Sequence, residues 1–127
     1  MTSLRFARYF GDDRGTAAIE FAIVGPIFMG CMVGIVYMGL MLFSYESLQY
    51  AVEQSARCWA LNISGSCTSS STAQTYAAKV YYGPSASQSF TATSTTCGYQ
   101  VTGTATMKIN WILGKATVPM TATACFP

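Results

Sequence analysis

Residues 21–45, FAIVGPIFMGCMVGIVYMGLMLFSY, contain no charged side chain, and this stretch decides the fold class. As an α-helix its 25 residues would extend about 37 Å, at roughly 1.5 Å per residue. The hydrocarbon core of a bilayer is about 30 Å thick, so such a helix crosses it with some tilt. The alternative is a core helix buried on all sides, for which a chain of 127 residues offers little partner surface. We therefore predict a transmembrane helix over residues 16–45.

The overall composition argues against catalytic and nucleic-acid functions. Hydrophobic residues make up 51% of the chain, charged residues only 9%, and the net charge of +2 is small for a polyanion-binding surface. The sequence has no histidine, and no acidic side chain follows Glu53. The commonest general base and paired-carboxylate sites are therefore missing. We expect no enzyme, no cofactor, no bound metal, no nucleic-acid partner and no small-molecule substrate.

The flanks of the apolar stretch predict its orientation. Arg5, Arg8 and Arg14 precede it, whereas only Arg57 follows nearby. Because basic residues stay on the cytoplasmic side, residues 1–15 form a cytoplasmic leader and residues 46–127 an exported head. A cleaved signal peptide is the weaker interpretation, since its apolar core has roughly 7–15 residues. A lipoprotein box ending at Cys31 is also weaker, because the chain stays apolar beyond it.

Three residues of this segment invite a functional interpretation. Gly30 and Gly34 have the small-xxx-small spacing that lets two membrane helices approach closely. Glu20 lies at the start of the apolar stretch, where a carboxylate costs several kcal/mol unless it reaches the interface, loses its charge or meets a cation. Glu20 therefore either lies among the lipid head groups or has a cationic partner.

The run from Asp13 to Pro26, DRGTAAIEFAIVGP, resembles the opening of the TadE-like proteins of bacterial tight-adherence (Flp) pilus systems. Within it, a glycine after a basic leader, four small or apolar residues and Glu-Phe are similar to a type IV pilin processing site. The resemblance implies that prepilin peptidase cuts between Gly15 and Thr16. It further implies that Glu20 faces the new N-terminal ammonium of a neighbouring subunit and sets the subunit registry. Thr16 departs from the phenylalanine usual at that place in many type IV pilins.

The same resemblance implies a function and a location. The chain would be a pilin-like (pseudopilin) subunit in the bacterial inner membrane, with a periplasmic head that becomes extracellular if the subunit enters the pilus. Its partners would be the membrane, prepilin peptidase, other pilin-like subunits and pilus assembly components. Two alternatives remain, namely an uncleaved single-pass scaffold of the secretion machine and an adhesive head at the pilus tip.

For the exported part, periodicity predicts an α+β head, so that the whole chain would be a pilin-like lollipop. Helix 46–63 continues the membrane helix, and a mostly apolar stripe repeats along it at steps of three or four. A second helix, 72–82, follows a capping box formed by Ser71 and Gln74. The stripe comprises Tyr45, Leu48, Val52, Ser55, Trp59 and Ile63.

Beyond the second helix the period becomes alternating, which predicts a three-stranded antiparallel sheet within residues 87–125. Apolar and polar residues alternate along Val101–Trp111 and along Ala116–Cys125, joined by a short hairpin, and Ser87–Thr93 adds a third strand. Pro119 suits an edge strand, since it cannot donate to a ladder. We expect the apolar face of the sheet to pack against the two helices.

The head contains four cysteines, Cys58, Cys67, Cys97 and Cys125, while Cys31 lies in the apolar stretch. An even number in an oxidising compartment predicts two disulfides, which so small a head needs. Three pairings are consistent with the count. We favour Cys58–Cys67, which joins the helix end to its loop, and Cys97–Cys125, which ties down the C-terminal end. A zinc site is less well supported, because CxxC spacing and histidine are both missing.

Overall fold

The computed structural model describes residues 15–62, 65–85, 87–111 and 114–127. The elements are α1 (Thr16–Leu61), α2 (Ser70–Val80), β1 (Ser87–Thr95), β2 (Gly98–Trp111) and β3 (Gly114–Phe126). The predicted α+β class is confirmed: a long N-terminal apolar helix is followed by a short helix and an antiparallel sheet. The chain divides into two compact units, residues 1–38 and 39–127. The proposed leader lies outside the described residues except for Gly15.

In the first unit, the described residues after Gly15 are helical, and Pro26 lies inside the helix. Proline removes one backbone donor, which membrane helices tolerate better than soluble ones. The large apolar side chains point outward, with Phe21 being 78% exposed. Their exposure in water would be unfavourable, so this surface requires apolar surroundings. The exposed set is Ile19, Phe21, Ile23, Val24, Ile27, Phe28, Met29, Met32, Val33, Ile35, Val36 and Met38.

The second unit begins at Gly39, and here one face of α1 is buried. Leu48 and Val52 of the predicted stripe are fully buried and Trp59 is partly buried, but Tyr45 is 39% exposed and does not belong to this face. The side chains that are buried instead include small ones, which let other elements approach the helix closely. Ile63 lies outside the described residues. The buried residues of α1 are Ser44, Leu48, Ala51, Val52, Ser55, Ala56 and Cys58.

Helix α2 begins earlier than predicted, and its capping box uses different residues. Ser69 is the N-cap: its Oγ accepts from the Thr72 backbone N–H at 3.4 Å, and Thr72 Oγ1 accepts from the Ser69 N–H at 2.9 Å. The predicted box of Ser71 and Gln74 is therefore wrong. Residues 69–72 are all hydroxyl residues, so the local sequence permits several starting points. The observed start buries Ala73 and Ala77, which extend the core.

The sheet has the order β1-β2-β3, with both pairs antiparallel. Phe90, Gly103 and Ala122 are in register across the three strands, and their shared face is buried. Pro119 lies on the edge strand β3, where its missing N–H disrupts no central ladder. The predicted alternation along β2 is also observed, since Val101, Gly103, Ala105 and Met107 are buried. The hairpin residues 112–113 lie outside the described residues, and Gly114 already belongs to β3.

Candidate membrane and processing site

The peptide bond between Gly15 and Thr16 lies at the start of α1. Gly15 is in a turn, Thr16 is the first helical residue, and the Gly15 carbonyl accepts the first-turn bond from the Ile19 N–H at 3.2 Å. Residues 15–20 are exposed. Cleavage of this bond would remove the Gly15 acceptor of the Ile19 N–H but no residue of α1.

Glu20 follows Thr16 by four residues, so the two lie on the same face of α1, one turn apart. The Glu20 side chain is exposed, and its neighbours Ile19 and Phe21 are also exposed. It is the only charged residue between Thr16 and Tyr45. The structure therefore presents a single carboxylate at the N-terminal end of an apolar helix surface.

Gly30 and Gly34 form an open notch in that surface. Apart from the neighbouring residues and the backbone of α1 itself, no atom of the described residues lies within 4 Å of a Cβ built at either position. The backbone of a second helix could therefore approach α1 closely here. Cys31, between the two glycines, is a free and exposed cysteine.

The four cysteines of the second unit form two disulfides. Cys58, near the end of α1, is bonded to Cys67 with a Cα–Cα distance of 5.7 Å. Cys97, in the turn between β1 and β2, is bonded to Cys125 of β3 with a Cα–Cα distance of 6.3 Å. The structure thus brings together the same pairs that the spacing favoured. Among the described residues, no group of three or more His, Cys, Asp or Glu could hold a metal ion.

The sequence indicates a polar strip along α1 in the second unit, but it does not show what this strip contacts. Gln49 and Glu53 line a cleft against Cys125 and Phe126 of β3, and the Arg57 guanidinium carbon lies 5.9 Å from the centre of the Phe126 ring. This strip is solvated surface beside the core. The i, i+4 spacing of Glu53 and Arg57 predicts that they share one face of α1. It does not predict that this face lies beside β3, because that contact depends on the packing of distant segments.

Comparison with known proteins finds one family that is similar to the N-terminal part of the chain. The family model described as TadE-like protein matches residues 15–57. Residues 15–57 are a TadE-like segment. The match begins at Gly15 and covers most of α1, so the resemblance seen in residues 13–26 is confirmed. No curated protein and no solved structure gives a significant match.

The TadE-like segment comprises 43 of the 127 residues of the chain. Its helix is long and apolar enough to cross a membrane, and no residue of its most apolar window is buried inside the protein. The TadE-like segment therefore supplies a candidate membrane anchor. The second disulfide, helix α2 and the sheet lie outside the matched residues.

Proposed function

We propose that the chain is a pilin-like (pseudopilin) subunit of a tight-adherence pilus, processed by prepilin peptidase between Gly15 and Thr16. The main support for this proposal is that the family match begins at Gly15 and the apolar helix begins at Thr16. Cleavage there would produce an amine at the first residue of an uninterrupted helix. The processed helix would then pack against α1 of neighbouring subunits, with the notch at Gly30 and Gly34 as one contact.

The charge of Glu20 supports this mechanism. A carboxylate in an apolar environment is unfavourable, and a new ammonium at Thr16 would be unfavourable too, because it lies at the positive end of the helix dipole. Pairing the carboxylate of one copy with the ammonium of the next relieves both costs. Since only one offset between parallel helices brings the two groups together, the pair would select a single stagger.

The proposal includes a topology. The three arginines before Gly15 favour a cytoplasmic N-terminus, and α1 would cross the bacterial inner membrane. Residues 46–127 would then lie in the periplasm, or outside the cell once the subunit enters the pilus. The two disulfides of this unit support an oxidising compartment.

The proposed role is structural rather than enzymatic. The chain has no histidine, and its last acidic side chain is Glu53. The exposed face of the sheet carries mainly serine and threonine hydroxyls, several of which bond to one another, such as Ser87 with Thr106 and Thr102 with Thr123. Such a surface is suited to packing against other subunits.

The direct test is the intact mass of the chain expressed with and without an active prepilin peptidase. We expect the peptidase to remove residues 1–15, and Gly15→Leu to prevent this because a bulky side chain would precede the cleaved bond. Glu53→Gln, far from that bond, is the matched control and should be processed normally. Retention of the leader beside an active peptidase would instead support the uncleaved scaffold.

A further inference from the structure

Two side-chain contacts show to which side each residue of the sheet directs its backbone groups. Thr91 Oγ1 donates to the Thr102 carbonyl at 3.3 Å, and Thr104 Oγ1 donates to the Ser89 carbonyl at 3.4 Å. The Thr102 carbonyl of β2 therefore faces β1, and the Ser89 carbonyl of β1 faces β2. Since the bonding direction alternates along a strand, the even-numbered residues of β2 bond to β1 and the odd-numbered ones bond to β3.

The same alternation identifies the free backbone groups of β3. Gly103 of β2 is in register with Ala122, so the even-numbered residues of β3 bond to β2. The odd-numbered residues Thr121, Thr123 and Cys125, all exposed, therefore direct their N–H and C=O groups away from the sheet. Among the described residues, none forms a hydrogen bond with these groups. Unpaired groups of this kind can bond to an added strand.

The rest of the sheet edge is protected against such pairing. In the first half of β3, Pro119 lacks a donor at an outward-facing position, and Lys115 adds a charge. On β1 the outward-facing residues Phe90 and Ala92 are only 8% and 7% exposed, so this edge is largely covered. The open edge of the sheet is therefore confined to residues 120–126 of β3.

The open edge borders a groove along α1. Residues 123–126 of β3 line a cleft of about 240 Å³ together with Gln49, Glu53 and Arg57 of α1. A second hollow, which shares Gln49 and Glu53, continues the groove along α1 as far as Tyr45. From Tyr45 to Arg57 the groove is about 18 Å long, at roughly 1.5 Å per helical residue. This length matches about five residues of an extended strand, at roughly 3.3 Å each.

The α1 wall of this groove carries unpaired negative charge. The Arg57 guanidinium lies over the Phe126 ring at one end of the groove, with its carbon 5.9 Å from the ring centre. Glu53 lines both parts of the groove and Glu46 lines the second part, and both side chains are exposed. Within the part of the chain that the structure describes, neither carboxylate forms an ion pair. The charge complement of this wall is therefore a basic side chain.

We propose that the groove between the open edge of β3 and α1 binds an extended peptide segment of another protein, and that this segment carries a basic side chain. The peptide would add a fourth strand to the sheet, with its main chain bonded to Thr121, Thr123 and Cys125. Its basic side chain would pair with Glu53. The main-chain bonds would provide affinity and the acidic wall would select the sequence. This binding requires neither removal of the leader nor assembly of a pilus.

The first experiment changes only the peptide. The full chain in a non-ionic detergent is titrated against fluorescent acetyl-Ser-Thr-Val-Lys-Val-Thr-Ser-amide, and binding is followed by fluorescence anisotropy. Two further peptides carry N-methyl groups on alternate residues, one set for each edge of the extended peptide. Because an added strand bonds through only one of its edges, we expect one methylated peptide to bind about tenfold more weakly and the other to bind like the parent peptide. Equal affinity of the two methylated peptides, or no binding of the parent peptide, would overturn the proposal.

The second experiment changes the open edge. Thr123→Pro removes one outward-facing N–H but no bond to β2, so we expect it to weaken binding of the parent peptide about tenfold. Thr117→Pro is the matched control, because it makes the same change at an outward-facing position outside the groove and should bind the peptide normally. Circular dichroism compares the folding of both variants with that of the parent chain. If Thr123→Pro does not fold, the methylated peptides still test the same contact.

The third experiment tests the acidic wall. Glu53→Gln keeps the size of the side chain and removes its charge. We expect it to weaken the lysine peptide about threefold and to leave unchanged the binding of a peptide in which glutamine replaces the lysine. An equal effect on the two peptides contradicts the pairing with Glu53. If no peptide binds and Thr123→Pro instead prevents association between copies of the chain, the edge pairs with a second copy and the proposal is wrong.

Discussion

Gly103 shows how much a single residue contributes to this fold. It lies in the middle of β2, where α1 crosses the sheet, and a Cβ there would come within 3 Å of atoms of Leu48, Val52 and Phe90. A glycine in a strand is intrinsically unfavourable, so its presence here is explained by the close approach of the helix. The alternating pattern alone predicts the face on which Gly103 lies, but it does not predict that this position requires a glycine.

We predict that Gly103→Ala lowers the free energy of unfolding by about 1–3 kcal/mol, because three packed side chains must move. Thermal denaturation in detergent, followed by circular dichroism, measures the change. Gly39→Ala is the control: apart from the neighbouring residues and the backbone of α1 itself, no described atom lies within 4 Å of its Cβ, so alanine should be neutral or should stabilise the helix by up to about 1 kcal/mol. Similar destabilisation by both variants would contradict the packing argument.

Glu20 is the second residue for which we make a prediction. If its carboxylate pairs with the Thr16 ammonium of a neighbouring copy, Glu20→Gln keeps the shape and removes the charge. Leaving a buried ammonium unpaired costs about 3 kcal/mol, so we expect about a hundredfold fewer assembled pili. Sheared pili are quantified against the amount of protein in the membrane, with Glu46→Gln as the control outside the apolar stretch. Normal piliation of Glu20→Gln would remove the pairing mechanism.

At the scale of elements, α1 is one helix with two kinds of surface. Its first part presents large apolar side chains outward, whereas its second part buries one face beneath the sheet and α2. The change follows the composition, because charged residues return at Glu46 and small residues such as Ala51 and Ser55 mark the buried face. A single continuous helix can thus serve as an apolar span and as part of a soluble core.

Helix α2 depends on its N-terminal cap. Ser69→Ala should lower the free energy of unfolding by about 1 kcal/mol, because the Thr72 N–H loses its acceptor at the helix start. Ser71→Ala removes a hydroxyl two residues later that does not cap the helix, so its effect should stay within about 0.5 kcal/mol. Urea titrations of both variants measure the difference. A larger effect of Ser71→Ala would support the box that was expected from the sequence.

At the scale of the whole molecule, the two disulfides close loops of different length. Cys58–Cys67 joins the end of α1 to the segment before α2, and Cys97–Cys125 joins the β1–β2 turn to the C-terminal strand. The first closes a loop with a sequence separation of 9 and the second one of 28. The longer loop restricts the unfolded chain more strongly.

We therefore predict that replacing Cys97 and Cys125 together by serine is more destabilising than replacing Cys58 and Cys67. Loop-closure entropy gives about 4 kcal/mol for the longer loop and about 3 kcal/mol for the shorter one. Urea unfolding of the two double variants, compared with the parent under non-reducing conditions, measures both values. The reverse order would show that native packing around the Cys58–Cys67 bond outweighs the entropy of the unfolded chain.

Local sequence determines several structural features of this protein. The absence of charge over residues 21–45 predicts the apolar helix, because the free-energy cost of burying a charge is a property of each residue. Alternation along β2 assigns its buried face, because side chains on a strand have a period of two. The run around Gly15 and Glu20 also identifies the TadE-like segment, since that pattern is contiguous.

Other features required the tertiary structure. The choice of Ser69 as the cap, the exposure of Tyr45 and the close packing at Gly103 all depend on which faces of the helices and the sheet are buried. Short-range propensities differ little among the alternatives at each of these positions. The burial of a common core between α1, α2 and the sheet decides among them, because that free energy exists only once the chain has folded.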